Sequence, residues 1–175
     1  MESFKLDTQP DKQVHIALFK NVANSPELRH RLSSQDQTLT CCLLNAKMVV
    51  NPFHVLLAVN RAISDEIAKG KLKTHNIHSE ILYNFGLTNN IGKTFQNFGI
   101  SDDTADVIAV KVGCEADEAE SFMKDCVKGE LVPLQELANV TDLQAIEQVY
   151  QLGNLNQDPQ RIMSLVAGGM ALRGF

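Results

Sequence analysis

Gly92-Lys93-Thr94 closes the stretch GLTNNIGKT and has the residue types of a phosphate-binding loop. Such a loop needs two glycines with four residues between them, so that consecutive backbone N–H groups wrap phosphate oxygens at a helix N-terminus. Here five residues separate Gly86 from Gly92, and Leu87 stands where the first glycine belongs. The segment before it, residues 79–85, has helical rather than strand spacing. The pattern weighs against an ATP or GTP site. A small nucleotide-binding or hydrolytic enzyme using Gly86 to Thr94 is the alternative reading of the chain.

Other reactive side chains assemble no site. His75 and His78 are three apart, but their nearest acid, Glu80, lies on the neighbouring turn, so surface or capping histidines are expected rather than metal ligands. Cys41 and Cys42 are adjacent, Cys114 and Cys126 are distant, and no Cys-x-x-Cys spacing occurs. With apolar neighbours Leu43, Leu44, Phe122 and Val127, reduced and partly buried thiols are expected. There is no Gly-x-Ser-x-Gly elbow, and Asp102-Asp103 after Gly99 reads as a solvated loop. These observations predict no catalytic residue, metal or cofactor.

A chain of 175 residues with 44% hydrophobic content can bury one sizeable core, so a single domain over 1–175 is expected. Polar residues interrupt every apolar run short of the ~18–20 residues of a membrane span. The start MESFKLDTQPDK lacks a basic segment followed by an apolar one, which predicts an intracellular, soluble protein without a membrane partner. A net charge of −5 argues against binding nucleic acid by bulk electrostatics. The acids are concentrated, with eight against two bases in residues 101–125. Lys69, Lys71, Lys73 and His75 follow one another with no acid between Ile67 and Ser79, so a local basic strip survives.

The elements that must position these residues read as follows. Residues 13–19 alternate Val14, Ile16 and Leu18 with His15 and Ala17, a strand with one buried face. Ser25 as N-cap with Pro26 opens a short helix. Short extended segments fit residues 39–50. Asn51-Pro52 opens the longest helix, ended by Gly70, with Phe53, Leu56, Leu57, Ile63 and Ile67 as its apolar positions. Short helices fit 79–85 and 91–98, the latter capped by Asn89 or Asn90 and ended by a left-handed Gly99, so that Gly-Lys-Thr is a helix start. Residues 105–113 read as a central buried strand, 117–127 as a helix, and Leu131-Val132 as an edge strand. In the helix 141–152, Leu143, Ile146 and Tyr150 share a face. In 159–172, Ile162, Leu165, Val166 and Met170 belong to a surface that is apolar nearly all round, which means core burial or cover by a partner.

NPFHVLLAVNRAI, GKLKT, HSEILYNF and NNIGKTFQNFGISDDTADVIAV follow one another in an order that resembles the PRPK-binding protein (TPRKB) family. This is the small non-catalytic subunit of the KEOPS/EKC complex. The similarity covers about residues 14–112 and is thin after Gly113. Thr94 stands where the family usually has alanine, and His75 where arginine is frequent.

The resemblance implies an α/β domain of α+β type, with about six to eight helices around a small, mostly antiparallel sheet, and no catalysis. It implies binding to the N-lobe of the PRPK kinase/ATPase through the C-terminal helices, which singles out Leu143, Ile146, Tyr150, Ile162, Leu165, Val166 and Met170. It further implies support for threonylcarbamoyladenosine modification of tRNA in cytoplasm and nucleus. Archaeal relatives hold the tRNA 3′ end. Direct tRNA contact here would use Lys69, Lys71, Lys73, His75, Asn89 and Asn90.

Overall fold

The computed structural model describes residues 1–173. β1 (Glu2–Leu6), β2 (Gln9–Lys20), β3 (Cys42–Asn45), β4 (Val107–Val112) and β5 (Glu130–Val132) form a five-stranded sheet. The path is β1-β2-β4-β3, and every pairing is antiparallel. β2 is long enough for β1 to pair along its first part and β5 along Leu18, Phe19 and Lys20 of the same edge, leaving the other edge to β4. β4 is therefore central and buried, as its β-branched run predicts.

Eight α-helices are found among the described residues, in chain order α1 (Ser25–Ser33), α2 (Pro52–Lys69), α3 (Ile77–Tyr83), α4 (Ile91–Phe98), α5 (Ala116–Cys126), α6 (Leu137–Val140), α7 (Leu143–Val149) and α8 (Pro159–Leu172). The architecture is the α+β arrangement expected. One face of the sheet, through Val14, Ile16, Leu18, Ile108 and Val110, joins the larger core with α2, α3, α7 and α8. The other, through Ala17, Phe19, Val107 and Ala109, carries α1 and α5. Ala17 and Ala109 are register partners, and the small pair leaves room for Ala119 and Met123 of α5.

Several local expectations need correction. β2 is buried on both faces rather than one. His15 is sealed in because its Nδ1 accepts from the Ser3 hydroxyl at 2.8 Å and its Nε2 donates to Cys114 O at 2.7 Å. β1 was not expected from the polar ESFKL, which is an edge strand. The N-cap of α1 is Asn24; Ser25 lies inside the helix and donates its hydroxyl to Thr104 O at 2.5 Å. Of the two short extended segments expected in 39–50, split at Asn45-Ala46-Lys47, the first is β3 and the second is no strand, Met48 ending a 3-10 turn over 46–48. Asn51 and Gly70 bound α2 as expected, with Gly70 at φ 57°. The inward face of α2 is His54, Val55, Ala58, Val59, Ala62 and Ile63, which turns Phe53 and Ile67 to solvent. Gly99 is extended rather than left-handed; it is glycine because a Cβ would strike Phe95 O.

At the centre of the larger core three elements share a polar chain. Val50 N donates to His54 Nδ1 at 3.2 Å, so the proton of the neutral ring sits on Nε2, which faces Tyr150 Oη at 2.9 Å. Tyr150 in turn donates to Phe85 O at 2.6 Å. The Phe85 ring lies 4.6 Å from His54, and Phe98 lies 5.3 Å from Tyr150. Burial pushes the His54 imidazolium down to about 3 and that of His78 down to about 4.

Both histidines fold neutral and gain protons when unfolded, so their contribution is full above pH ~6.5 and is lost as the pH falls towards 4 and then 3. Each steepens the loss of stability by about 1.4 kcal/mol per pH unit in its window. In urea titrations between pH 6.5 and 4, His54→Gln should show a correspondingly shallower pH dependence than wild type. Tyr150→Phe should cost about 1–3 kcal/mol at pH 7 by stranding Phe85 O and His54 Nε2. Parallel pH profiles for wild type and His54→Gln would contradict the buried neutral ring.

Candidate functional site

Gly92, Lys93 and Thr94 lie in the first turn of α4. Asn90 caps it, its Oδ1 accepting from Lys93 N at 3.0 Å, while the Thr94 hydroxyl donates to Asn90 O at 3.0 Å. The hydroxyl that would hold a metal in a phosphate loop is thus spent inside the helix and is buried. Gly86 has a different task. Thr94 sits against its Cα so closely that a Cβ there would collide with the threonine side chain. The resemblance of residues 86–94 to a phosphate loop arises from a cap and a packing contact.

The carbonyls around Gly86 close the end of α3. Arg173, at the C-cap of α8, is buried and donates from Nη1 to Tyr83 O and Gly86 O, both at 2.7 Å, and from Nη2 to Asn84 Oδ1. Its guanidinium stacks 4.2 Å from the Tyr83 ring. Burial lowers the affinity of this guanidinium for its proton, and the orphan carbonyls at a helix C-terminus offset that cost.

The structure gathers part of the basic strip at the same tyrosine. Lys73 Nζ lies 5.6 Å from the Tyr83 centroid, and Tyr83 Oη donates to Asn89 Oδ1 at 3.1 Å. Lys71 and Lys73 are exposed and make no ion pair among the described residues. Lys69 is drawn back to Asp65 at 2.9 Å. His75 stands apart from Tyr83, paired with Gln35 at 3.1 Å on the rim of a cleft of about 510 Å³. One wall of the cleft carries Asn76, His78 and Ser79, and the other Arg29, Arg31 and Asp36. His78 Nδ1 is buried there without a partner. His75 and His78 gain no third ligand, since the described residues contain no group of three metal-binding side chains.

The C-terminal candidates divide by burial. Ile146, Tyr150, Ile162, Val166 and Met170 are core, and Leu143 packs against that core. These six expected contact residues face inward, because α7 and α8 close the sheet's larger face. Leu165 alone of the set is open, 49% exposed, with Leu172 at 71% one strip further along α8. Beside them Ser164, Gly168 and Ala171 are all exposed. Gly169 is packed onto Leu87, but among the described residues nothing lies within 4 Å of the Cβ position of Gly168. α8 packs against α2, whose own outer side shows Phe53 and Ile67, 52% and 57% exposed. Leu172 and Gly168 were not among the contact residues expected from sequence, and Phe53 and Ile67 were expected on the apolar face of α2 rather than in solvent. The period of Leu165, Gly168 and Leu172 was the available signal, masked by apolar residues on the inner face.

A family model described as kinase binding protein CGI-121 matches residues 19–174. The chain belongs to this family. The CGI-121 match extends through α7 and α8, well past the segment in which the sequence resemblance is strong. EKC/KEOPS complex subunit cgi121 of Aspergillus fumigatus is 34% identical over 99% of this chain and 97% of its own length. EKC/KEOPS complex subunit CGI121 of Yarrowia lipolytica is 34% identical over 95% and 97%. The Candida glabrata subunit of the same name is 30% identical over 99% of each chain. The described part of this CGI-121 member has no helix long and apolar enough to cross a membrane.

Gly86→Ala should destabilise the chain by about 1–3 kcal/mol through overpacking on Thr94, whereas Lys93→Ala should change stability by less than about 0.5 kcal/mol. Neither the wild type nor Lys93→Ala should gain thermal stability from ATP with magnesium. A nucleotide-dependent shift abolished by Lys93→Ala would restore the phosphate-loop reading.

Proposed function

We propose that this protein is a non-catalytic subunit of a KEOPS/EKC assembly, binding the assembly's PRPK-type kinase/ATPase through the outer face of α8. In that role it supports threonylcarbamoyladenosine modification of tRNA in cytoplasm and nucleus. The observation that carries the reading is the strip Leu165-Gly168-Leu172. It is an apolar, small-residue surface on a helix whose other side is already committed to the core. Gly168 costs the helix roughly 0.8–1 kcal/mol relative to alanine, and no described residue lies within 4 Å of its Cβ position. A close-packed partner gives it a reason. The family description, kinase binding protein, supplies the partner's class.

Direct tRNA contact belongs to the same proposal and uses Lys71 and Lys73, with Lys69 and His75 flanking and Asn89 and Asn90 at the start of α4. Two or three phosphate contacts give weak, salt-sensitive binding alone, so this strip acts as an auxiliary grip within the assembly.

Gly168→Ala should raise the unfolding free energy by up to about 1 kcal/mol, and Leu165→Glu and Gly168→Arg should leave the fold intact while abolishing capture of the purified kinase subunit. Ile146→Glu should unfold the chain. Normal capture by folded Leu165→Glu and Gly168→Arg would place the kinase elsewhere. The Lys69/Lys71/Lys73→Ala triple variant should bind tRNA more weakly with a shallower salt slope; an unchanged slope would leave the strip as plain solvated surface.

A further inference from the structure

The cleft of about 510 Å³ has no residue of α8 in its lining, and it opens where the sheet ends. β3 is the last strand on the path β1-β2-β4-β3 and pairs with β4 alone. The cleft takes Leu39, Leu43 and Ile100 from the smaller core and Cys42 and Leu82 from the larger. A cavity lined from both faces of a sheet lies at its edge. The register fixes which backbone groups look into it. Ala46 N donates to Asp106 O at 3.1 Å, and that pair continues the register of Asn45 with Val107. Bonded and non-bonded pairs alternate along an antiparallel ladder, so Leu44 and Cys42 exchange hydrogen bonds with β4 and Leu43 between them does not. β4 agrees, because Gly113 N donates to Gln13 O at 3.0 Å, which commits the odd-numbered residues of β4 to β2. The N–H and C=O of Leu43, a residue only 2% exposed, therefore point away from the sheet, and among the described residues neither has a hydrogen-bond partner.

The geometry points to strand addition: the cleft receives an extended segment of a partner protein, which pairs with the outer edge of β3 through the N–H and C=O of Leu43. A strand joins an open edge by main-chain hydrogen bonds, and its side chains enter pockets that set its sequence. Here both flanks are apolar, Leu39 and Ile100 on one side and Leu82 and Phe95 on the other. A strand covered on both faces reads as a continuous apolar run, β-branched by preference. Charge supplies the rest. The chain has a net charge of −5, yet the cleft lining carries Arg29 and Arg31 against one carboxylate, Asp36. Arg31 is held by Asp36 at 2.7 Å. Arg29 pairs with Asp102 at 3.1 Å, and both side chains of that pair are more than half exposed. Such a pair exchanges at little cost, so an Asp or Glu at the end of the segment nearest α1 takes Arg29. A second copy of this chain does not serve, because its own β3 edge is sunk in the same cleft. A nucleic acid would meet the arginines but has no repeating N–H and C=O to match a strand edge.

Two further features fit an occupant. His78, on the α3 wall, has a buried Nδ1 without a hydrogen bond, and a main-chain group of an inserted segment satisfies it. At the mouth Gln35 bonds His75 at 3.1 Å and so bridges the two walls. Gln35 sits at φ 55° just past the end of α1, a position that glycine or asparagine fills with less strain. That conformation carries its side chain across the opening. Both residues of the bridge are exposed, so it yields to an incoming segment.

The full chain is panned with a phage-displayed library of random short peptides, and the enriched sequence is made as a synthetic peptide. The enriched sequences should share a β-branched apolar run ending in Asp or Glu. In NMR, the bound peptide should slow solvent exchange of the Leu43 amide and leave the Leu44 amide, already bonded to β4, unchanged. N-methylation of the peptide at the paired position should weaken binding about tenfold or more. Gln96→Trp, at an exposed lining residue of α4, and Arg29→Glu should each weaken it to a similar degree, by steric block and by charge reversal, with the urea unfolding midpoint unchanged. Gln35→Gly should bind the peptide at least as tightly as the wild type. No shared sequence after panning on folded chain, binding indifferent to Gln96→Trp and to N-methylation, or single-stranded RNA slowing the Leu43 amide where the peptides do not would overturn the inference.

Discussion

The four residues 83–86, at the end of α3, are the point on which the C-terminal third of the molecule is hung. Their carbonyls would be orphaned at a helix C-terminus. Instead Arg173 takes Tyr83 O and Gly86 O, and Tyr150 takes Phe85 O. The Phe85 ring packs on His54 of α2, and the bare Cα of Gly86 admits Thr94 of α4. One turn of backbone thereby locates α2, α4, α7 and α8 relative to each other. A buried guanidinium without a carboxylate partner among the described residues is costly, and it is tolerated here because three oxygens and an aromatic face converge on it. Gly86, at the head of the stretch that resembles a phosphate loop, is instead a condition of this junction.

With α8 held by both its inner face and its terminal arginine, its outer face is presented as a rigid surface, the form in which an interface costs least ordering on binding. Tyr83 also links the two proposed functions. Arg173 stacks on its ring, Lys73 lies over the same ring, and its hydroxyl holds Asn89, so the helix offered to the kinase and the strip offered to tRNA share one residue of the junction.

Much of the fold was legible because its signals are local. Asn51-Pro52 and Gly70 bound α2 through their own backbone geometry, the β-branched run 107–112 can hardly be anything but a central strand, and the cap at Asn90 disposes of the phosphate loop without tertiary information. What was not legible depends on partners distant in the chain. His15 reads as the polar side of a strand until Ser3 and Cys114 are brought to its two nitrogens. Phe53 reads as core until the alanines of α2 prove to make the tighter contact with the sheet side. A helix that is apolar all round does not reveal which of Ile162, Leu165 and Val166 faces out, because that is decided by where α7 and α2 already lie. Family resemblance pointed to the C-terminal helices and could not choose which side of α8 faces out.

The direct test of the account is a methyl NMR titration of the chain, labelled at Leu, Ile and Val methyls, with the unlabelled kinase subunit. The account predicts that Leu165 and Leu172 methyls shift or broaden first, while Leu28, Leu43 and Val107, in the smaller core beyond the sheet, stay unchanged. Unperturbed Leu165 and Leu172 in a saturated complex, with the changes gathered instead around α1 and α5, would contradict it.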